Sequence, residues 1–252
     1  MENILREWCT ETYMESKLKD NIIQKRFERK FAERLNNSYL FKKFLILRNF
    51  SKKYNQRVIN SLYFDDLNFT SFKDNIDGNP RRFKIRIRWY DENIENLYLE
   101  IKNKYGFLGW KNTIKLSNIN YLKKDLKNYS NSQLEKTLNK IFKKNVFQNL
   151  KTKYLREYYE NPYNNIRATI DTKLEFSSVR TYFNIKYDKE ILEFKYPISK
   201  DKLFRECIIS KNNFRFQKFS KYVVGINLLN RNLLIWINFF KFFWVQKDKE
   251  KN

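Results

Sequence analysis

The stretch RRFKIRIRWY, residues 81 to 90, sets Arg82, Lys84, Arg86 and Arg88 at every second position, with Phe83, Ile85, Ile87 and Trp89 between them. In an extended strand those two sets point to opposite faces. Solvent-facing strands ordinarily mix charge signs across the ladder, so a face of one sign either meets water at a repulsive cost or meets an anion. The pattern recurs. Residues 96 to 104 alternate Tyr98, Glu100, Lys102 and Lys104 with Leu97, Leu99 and Ile101, and residues 109 to 116 offer Lys111, Thr113 and Lys115. KRFERKFAE (25 to 33) puts Arg26, Glu28 and Lys30 on one side and Phe27, Arg29 and Phe31 on the other. Further on, 153 to 160 aligns Tyr154, Arg156 and Tyr158, 165 to 176 aligns Arg167, Thr169 and Asp171, and 190 to 197 gives Glu193 and Lys195 in alternation with Leu192 and Phe194.

This inventory narrows the chemistry. The chain has no histidine, which removes Ser-His-Asp and Cys-His catalysis and every His-ligated metal. What remains is carboxylates, Lys, Arg, Tyr and a hard, oxygen-liking cation. The formal net charge of +24, from 52 Lys and Arg against 28 Asp and Glu, points to an anionic partner such as nucleic acid, phosphate or a membrane surface. A base-composition bias in the coding DNA, visible as many Lys, Asn and Ile and few Gly, competes as an explanation, so the placement of charge carries more than its total. Cys9 and Cys207 lie far apart without metal spacing and read as free thiols in a reducing compartment. The first 25 residues hold no apolar run of signal-peptide type, which argues against secretion and for a cytoplasmic protein.

The strands must be held by covering elements. A helix is expected from Asn37 or Ser38, where Leu40, Phe41, Phe44 and Leu45 recur at helical spacing. Residues 56 to 66 read as a strand ending in acids, and 67 to 76 as a helix stopped near Gly78 and Pro80. From 118 to 148 the period switches to 3.6, with a capping-box pattern from Ser132 to Glu135 and Leu138, Ile141 and Phe142 on one face. An Arg-bearing strand followed by Leu-Glu-apolar-Lys occurs twice, as Arg86 and Arg88 with 99 to 102, and as Arg167 with 192 to 195. If the halves close around each other, charged faces line an interior and apolar faces pack outward on helices. A wet interior of that kind suits a polyanion. No linker rich in Pro, Gly or Ser divides the chain, so one domain is expected over 25–228, after an N-terminal extension, 1–24, and before a tail, 229–252.

Arg-x-Glu-x-Lys near the start, SLYFDD (61 to 66), KIRIRWY (84 to 90), YLEIKNK (98 to 104), IRATID (166 to 171), LEFK (192 to 195) and FSKYVVGI (219 to 226) occur in this order. In this the chain resembles the VTC (vacuolar transporter chaperone) domain of polyphosphate polymerases, within the CYTH-like triphosphate tunnel metalloenzyme superfamily. The resemblance spans about residues 25 to 226. It implies an α+β fold, a closed antiparallel eight-stranded β-barrel with helices packed outside. It implies transfer of the ATP terminal phosphoryl group onto polyphosphate, with Mn2+ or Mg2+. By the same resemblance, Lys30, Arg86, Arg88, Lys102, Arg167 and Lys221 fall on catalytic phosphate-binding positions and Glu193 on the metal-binding glutamate. The family's fourth-strand lysine aligns with Lys111 or Lys115. Tyr154 and Arg156 match a Tyr-x-Arg element, and Glu28, Lys84, Glu100, Lys104 and Lys195 are expected to line the substrate path.

The chemistry agrees with the inventory. Phosphoryl transfer is mostly positioning and charge neutralisation, and a polyphosphate end, already an anion at pH 7, needs no general base. Superfamily hydrolases usually begin with Glu-x-Glu-x-Lys, whereas here Arg26 stands in place of the first Glu, which favours polyphosphate synthesis or binding over hydrolysis. The eukaryotic enzymes carry an SPX domain before the tunnel and membrane helices after it; neither is read in this sequence. Glu28, Glu100 and Glu193, each two residues from a Lys, also suit surface salt bridges; Asp171 suits either a metal or a structural hydrogen bond, and Tyr154 either packing or phosphate. The apolar run from Leu233 to Val245, broken by Asn238 and Lys241, is below the ~20 residues needed to span a bilayer. It suits packing on the barrel or docking on a membrane surface or membrane protein. A triphosphatase and a non-catalytic polyphosphate- or nucleotide-binding module remain as alternatives. Nucleic-acid binding fits the composition but no recognised module, so no specific nucleic-acid partner is expected.

Overall fold

The computed structural model describes residues 26–34, 38–106, 108–116, 133–142, 145–179, 183–210 and 215–231. The expected extension 1–24 and the apolar run 233–245 lie outside the described residues, as does Cys9, while Cys207 is an exposed free thiol. The described elements are β1 (Arg26–Arg34), α1 (Ser38–Ile46), β2 (Ser51–Asp65), α2 (Thr70–Asp77), β3 (Arg81–Tyr90), β4 (Asn93–Tyr105), β5 (Leu108–Leu116) and α3 (Gln133–Phe142). Then follow β6 (Phe147–Asn161), β7 (Ile166–Ser178), β8 (Asn184–Lys186) and β9 (Lys189–Pro197). A helical segment with a 3-10 turn at Ile198–Lys200 and a π-helical stretch at Phe204–Ile209 precedes helix α4, residues 221–231. Among the described residues no helix is long and apolar enough to cross a membrane.

All strands join one antiparallel sheet in the order β1-β9-β7-β6-β2-β3-β4-β5, with the short β8 paired to β7 outside this path. The expected eight-stranded closed barrel is therefore corrected: among the described residues the sheet is open, with β1 and β5 at its ends and no ladder joining them. Strands β1 and β4 are separated by five others. In a flat sheet that would place them about 29 Å apart. Instead Lys102 Nζ on β4 lies 2.8 Å from Glu28 Oε2 on β1, so the sheet curls into a deep trough bridged by side chains. Residues 215–220 act as a strap along the free edge of β1, where the Gln217 amide donates to the Lys30 carbonyl at 2.9 Å and Gln217 Nε2 donates to the Ala32 carbonyl at 3.2 Å. An edge engaged in this way is unavailable to another strand.

Two apolar cores sit on the convex side, as alternation demands. Ile85, Ile87, Leu97 and Leu99 pack with Leu62, Phe64 and Leu138 of α3. Phe31, Phe194 and Tyr196 pack under Phe41, Phe44 and Leu45 of α1 and Phe204 of the π-helical stretch. The third core corrects the expectation that helices pack only outside. Helix α4 lies on the concave face, where Tyr222, Ile226 and Leu229 bury against Ala32, Ile59, Tyr63, Leu150, Phe176 and Ile191. Gly225 makes this close approach feasible, because a Cβ there would stand 2.6 Å from Leu150 Cδ2 and 2.7 Å from Phe176 Cδ1. The tail boundary expected at 229 falls inside this helix, with Leu229 buried in the core.

Local chemistry fixes the ends. The acids closing SLYFDD cap α2: Asp65 accepts the amides of Ser71 and Phe72 at 2.9 and 3.0 Å, and Asp66 that of Thr70 at 2.9 Å. Gly78 stops the helix in the left-handed region, at φ 76°. The helical period expected through 148 ends sooner, since β6 begins at Phe147.

Candidate functional site

Above α4 the trough is lined by the charged members of each alternating strand. On β9, the buried Glu193 lies 3.0 Å from Lys195 and 3.8 Å from Lys30 of β1, and Arg156 of β6 stands 4.0 Å away. Asp171 of β7, fully buried, accepts from Arg156 Nε and Nη2 at 2.6 and 2.7 Å and from Lys221 Nζ at 2.5 Å. Across the trough, Glu100 accepts from Arg86 at 2.6 Å and Lys111 at 2.7 Å, with Arg88 at 3.6 Å. Arg86 also donates to the Tyr63 hydroxyl at 3.1 Å, and Arg88 to that of Tyr154 at 3.4 Å. Lys221 stands 4.4 Å over the Tyr154 ring. The strap and the head of α4 close the lower side: Lys30 donates to the Phe219 carbonyl at 3.1 Å and Lys84 to Ser220 Oγ at 2.8 Å.

The electrostatics follow from burial in a basic enclosure. Burial works to raise the Glu28 carboxyl, but Lys102, Lys195 and Lys30 outweigh it and hold it at about 2. Asp171 is likewise held at about 2 against burial by Arg156 and Lys221. Glu100 and Glu193 are driven down in the same way, by Arg86, Arg88 and Lys111 and by Lys195, Lys30 and Arg156. Lys84 goes the other way. Burial lowers its ammonium well below the ordinary 10.5, and Lys30, Lys102, Arg82 and Arg86 push it further. Lys104 is lowered by burial and by Arg82 and Lys102. The concave face thus holds more positive charge than its own carboxylates neutralise. Arg88 Nε and the Thr169 hydroxyl are buried on it without a hydrogen-bond partner. Such groups fit a bound oxyanion.

Most of the residues expected from sequence converge here: Glu28, Lys30, Lys84, Arg86, Arg88, Glu100, Lys102, Lys111, Tyr154, Arg156, Glu193, Lys195 and Lys221. Lys104 shares their face two residues beyond Lys102 along β4, opposite Arg82. Between Lys111 and Lys115, the contact with Glu100 falls to Lys111; Lys115 is exposed and opposes Tyr98. Arg167 stands apart. Its side chain is 62% exposed at the upper rim and faces Glu160 at 3.5 Å, not the cluster. Asp171 proves to be the common acceptor of Arg156 and Lys221. Sequence reasoning passed over Tyr63, Ser220 and the Phe219 carbonyl; Tyr63 was signalled by its period-two spacing to Ser61 within SLYFDD.

The VTC-domain family model matches residues 11–230. The chain belongs to the VTC-domain family. No curated protein matches it significantly. Solved structures similar to this VTC domain include a Pyrococcus horikoshii protein, 16% identical, covering 82% of this chain and 99% of its own at a TM-score of 0.47. A putative adenylate cyclase from Bacillus halodurans is 12% identical, with 78% and 95% coverage and a TM-score of 0.47. A putative adenylyl cyclase from Hippeastrum, described as revealing a dominant triphosphatase activity, is 12% identical, with 79% and 95% coverage and a TM-score of 0.47. The family assignment of the VTC domain stands on the family match alone.

Proposed function

We propose that this VTC domain is a phosphotransferase of the polyphosphate polymerase type, which binds ATP by its phosphates in the basic trough and transfers the terminal phosphoryl group to a polyphosphate chain. The carrying observation is the state of the carboxylates. Glu28, Glu100, Asp171 and Glu193, the carboxylates within the cluster, are each engaged by Lys or Arg, and each is held below its ordinary range, Glu28 and Asp171 at about 2. A base that activates water works best with a pKa near the operating pH, which these groups lack. A polyphosphate end needs no base. Its terminal oxygen forms the new bond to the γ-phosphorus of ATP as the bond from that phosphorus to the β–γ bridging oxygen breaks, and ADP leaves with the electron pair. Lys30, Arg86, Arg88, Arg156 and Lys221 neutralise the charge of the group in transit, and Arg supplies bidentate contacts.

A divalent cation, Mn2+ or Mg2+, fits in one manner. Among the described residues no group of three or more acids could hold a metal. Glu193 and Glu28 sit diagonally across the β1–β9 ladder and influence each other electrostatically. One or two carboxylates with phosphate oxygens completing the shell is the usual mode for a small hard cation. Glu193 and Glu28 would hold it, and it would supply positive charge that offsets the charge of the phosphates.

The test is to incubate the purified full chain with ATP and Mn2+ or Mg2+ and resolve the products by gel. A ladder of lengthening polyphosphate is the expected result. Orthophosphate without chain growth would overturn it in favour of a triphosphatase, and tight ATP binding without turnover would overturn it in favour of a binding module.

A further inference from the structure

Beyond the phosphate-facing cluster, the concave face continues into a recess of about 290 Å³ between β2, β3 and β4, lined by Arg57, Tyr90, Asp91, Asn93, Asn96 and Tyr98. Alternation places Arg57, Tyr90 and Tyr98 on the same face as Tyr63, Arg88 and Glu100, and Asn96 joins them in the lining. The Tyr90 and Tyr98 rings meet edge to face at 6.2 Å and 71°, and the Arg57 guanidinium stands 5.8 Å from the centre of the Tyr90 ring. The rim is fixed from behind: Asp91 Oδ1 accepts the Val58 amide at 2.9 Å, the Asp91 carbonyl accepts Asn60 Nδ2 at 2.8 Å, and Asn93 Oδ1 accepts the Glu95 amide at 3.0 Å. Tyr98 lies directly opposite Arg88 in the β3–β4 ladder. It stands two residues from Glu100, about 7 Å along the strand.

The recess differs in kind from the cluster beside it. Its one cation, Arg57, is matched by Asp91, so it does not extend the basic lining and is poorly suited to more phosphate. It offers instead two aromatic rings, a guanidinium plane and the Asn96 amide, which both donates and accepts. Its volume, at the small end for ligand pockets, suits one planar group and its sugar. We propose that this recess holds the nucleoside of a nucleoside triphosphate whose phosphates occupy the cluster, with Tyr98, Tyr90 and Arg57 packing on the base. The inference rests on the phosphate-binding reading above and adds the nucleoside to it. Stacking of a base on such rings is sequence-tolerant, so selectivity among bases would fall to Asn96.

The experiment compares binding of ATP and of inorganic tripolyphosphate to the full chain by calorimetry. Tyr98→Ala is expected to weaken ATP about 5- to 150-fold while leaving tripolyphosphate unchanged. Tyr98→Phe keeps the ring and should bind ATP nearly as the parent does. Arg57 is exposed, so Arg57→Ala should fold normally and weaken ATP several-fold with the same selectivity. Equal losses for both ligands, or unchanged ATP affinity in both alanine variants, would overturn the proposal. Should tripolyphosphate fail to bind the parent protein, the phosphate-site reading falls, and this inference with it.

Discussion

Gly225→Ala tests whether α4 holds the site. Helix propensity alone predicts a gain of up to about 1 kcal/mol, because Ala is the better helix former. Packing predicts the opposite. The new Cβ would stand 2.6 Å from Leu150 Cδ2 and 2.7 Å from Phe176 Cδ1, where carbons ordinarily rest about 3.5–4.0 Å apart. Both neighbours are fully buried, so they cannot swing aside, and the helix must lift by about 1 Å. Overpacking of this kind costs about 1–3 kcal/mol, which after the full propensity gain leaves a net loss of up to about 2 kcal/mol. The displacement also reaches Lys221, one turn earlier on the same helix. Its 2.5 Å contact with Asp171 and the 3.1 Å contact of Lys30 with the Phe219 carbonyl would both lengthen. Urea unfolding should show the lowered stability, and calorimetry a fall of about tenfold or more in tripolyphosphate affinity. Asn227→Ala, exposed on the same helix, serves as control and should stay within about 0.5 kcal/mol of the parent. A Gly225→Ala protein as stable and as tight-binding as the parent would refute the placement of α4 on the concave face.

Asp171→Asn leaves Arg156 and Lys221 without their shared buried carboxylate and should cost about 3–5 kcal/mol in denaturant midpoints analysed at neutral pH. In the parent, the folded value of about 2 lies below the ordinary 3.8 for Asp171, so its stabilisation is present above pH 3.8 and lost as pH falls towards 2. That amounts to about 2 kcal/mol, and an acid-unfolding slope identical in parent and variant would contradict it. Lys84, lowered by burial and its cationic neighbours, should take up a proton when an anion arrives at alkaline pH below 10.5. Calorimetry of tripolyphosphate binding in buffers of different ionisation enthalpy should reveal uptake, with affinity falling as pH rises. Lys84→Arg should abolish the uptake, and a parent protein showing none would refute the reading.

Alternation alone made much of the site readable. The period of two is a property of the extended backbone, so Glu28 with Lys30, Arg86 with Arg88, and Glu193 with Lys195 could be placed on shared faces before any strand was paired. Likewise the helices at 38–46 and 70–77 were marked by apolar spacing and by Gly78. Where the period breaks, sequence is silent. A bulge at Lys173, whose φ is 51°, shifts the β6–β7 register, so that Leu174 and Phe176 join the concave face with Asp171. A one-residue slip of that kind turns every later side chain over, and local composition does not announce it.

What the sequence by itself determined was the chemistry available: no imidazole, a surplus of Lys and Arg, and alternating faces that had to meet an anion. Only the tertiary structure decided which charges meet. Lys102 reaches Glu28 across five intervening strands, α4 turns inward instead of out, and Arg167, in step with its neighbours along β7, ends at the rim beside Glu160. The reason is that facing is a local property of one strand, whereas curvature, strand order and the closing strap arise from contacts between segments far apart in the chain, which no spacing along a single strand encodes.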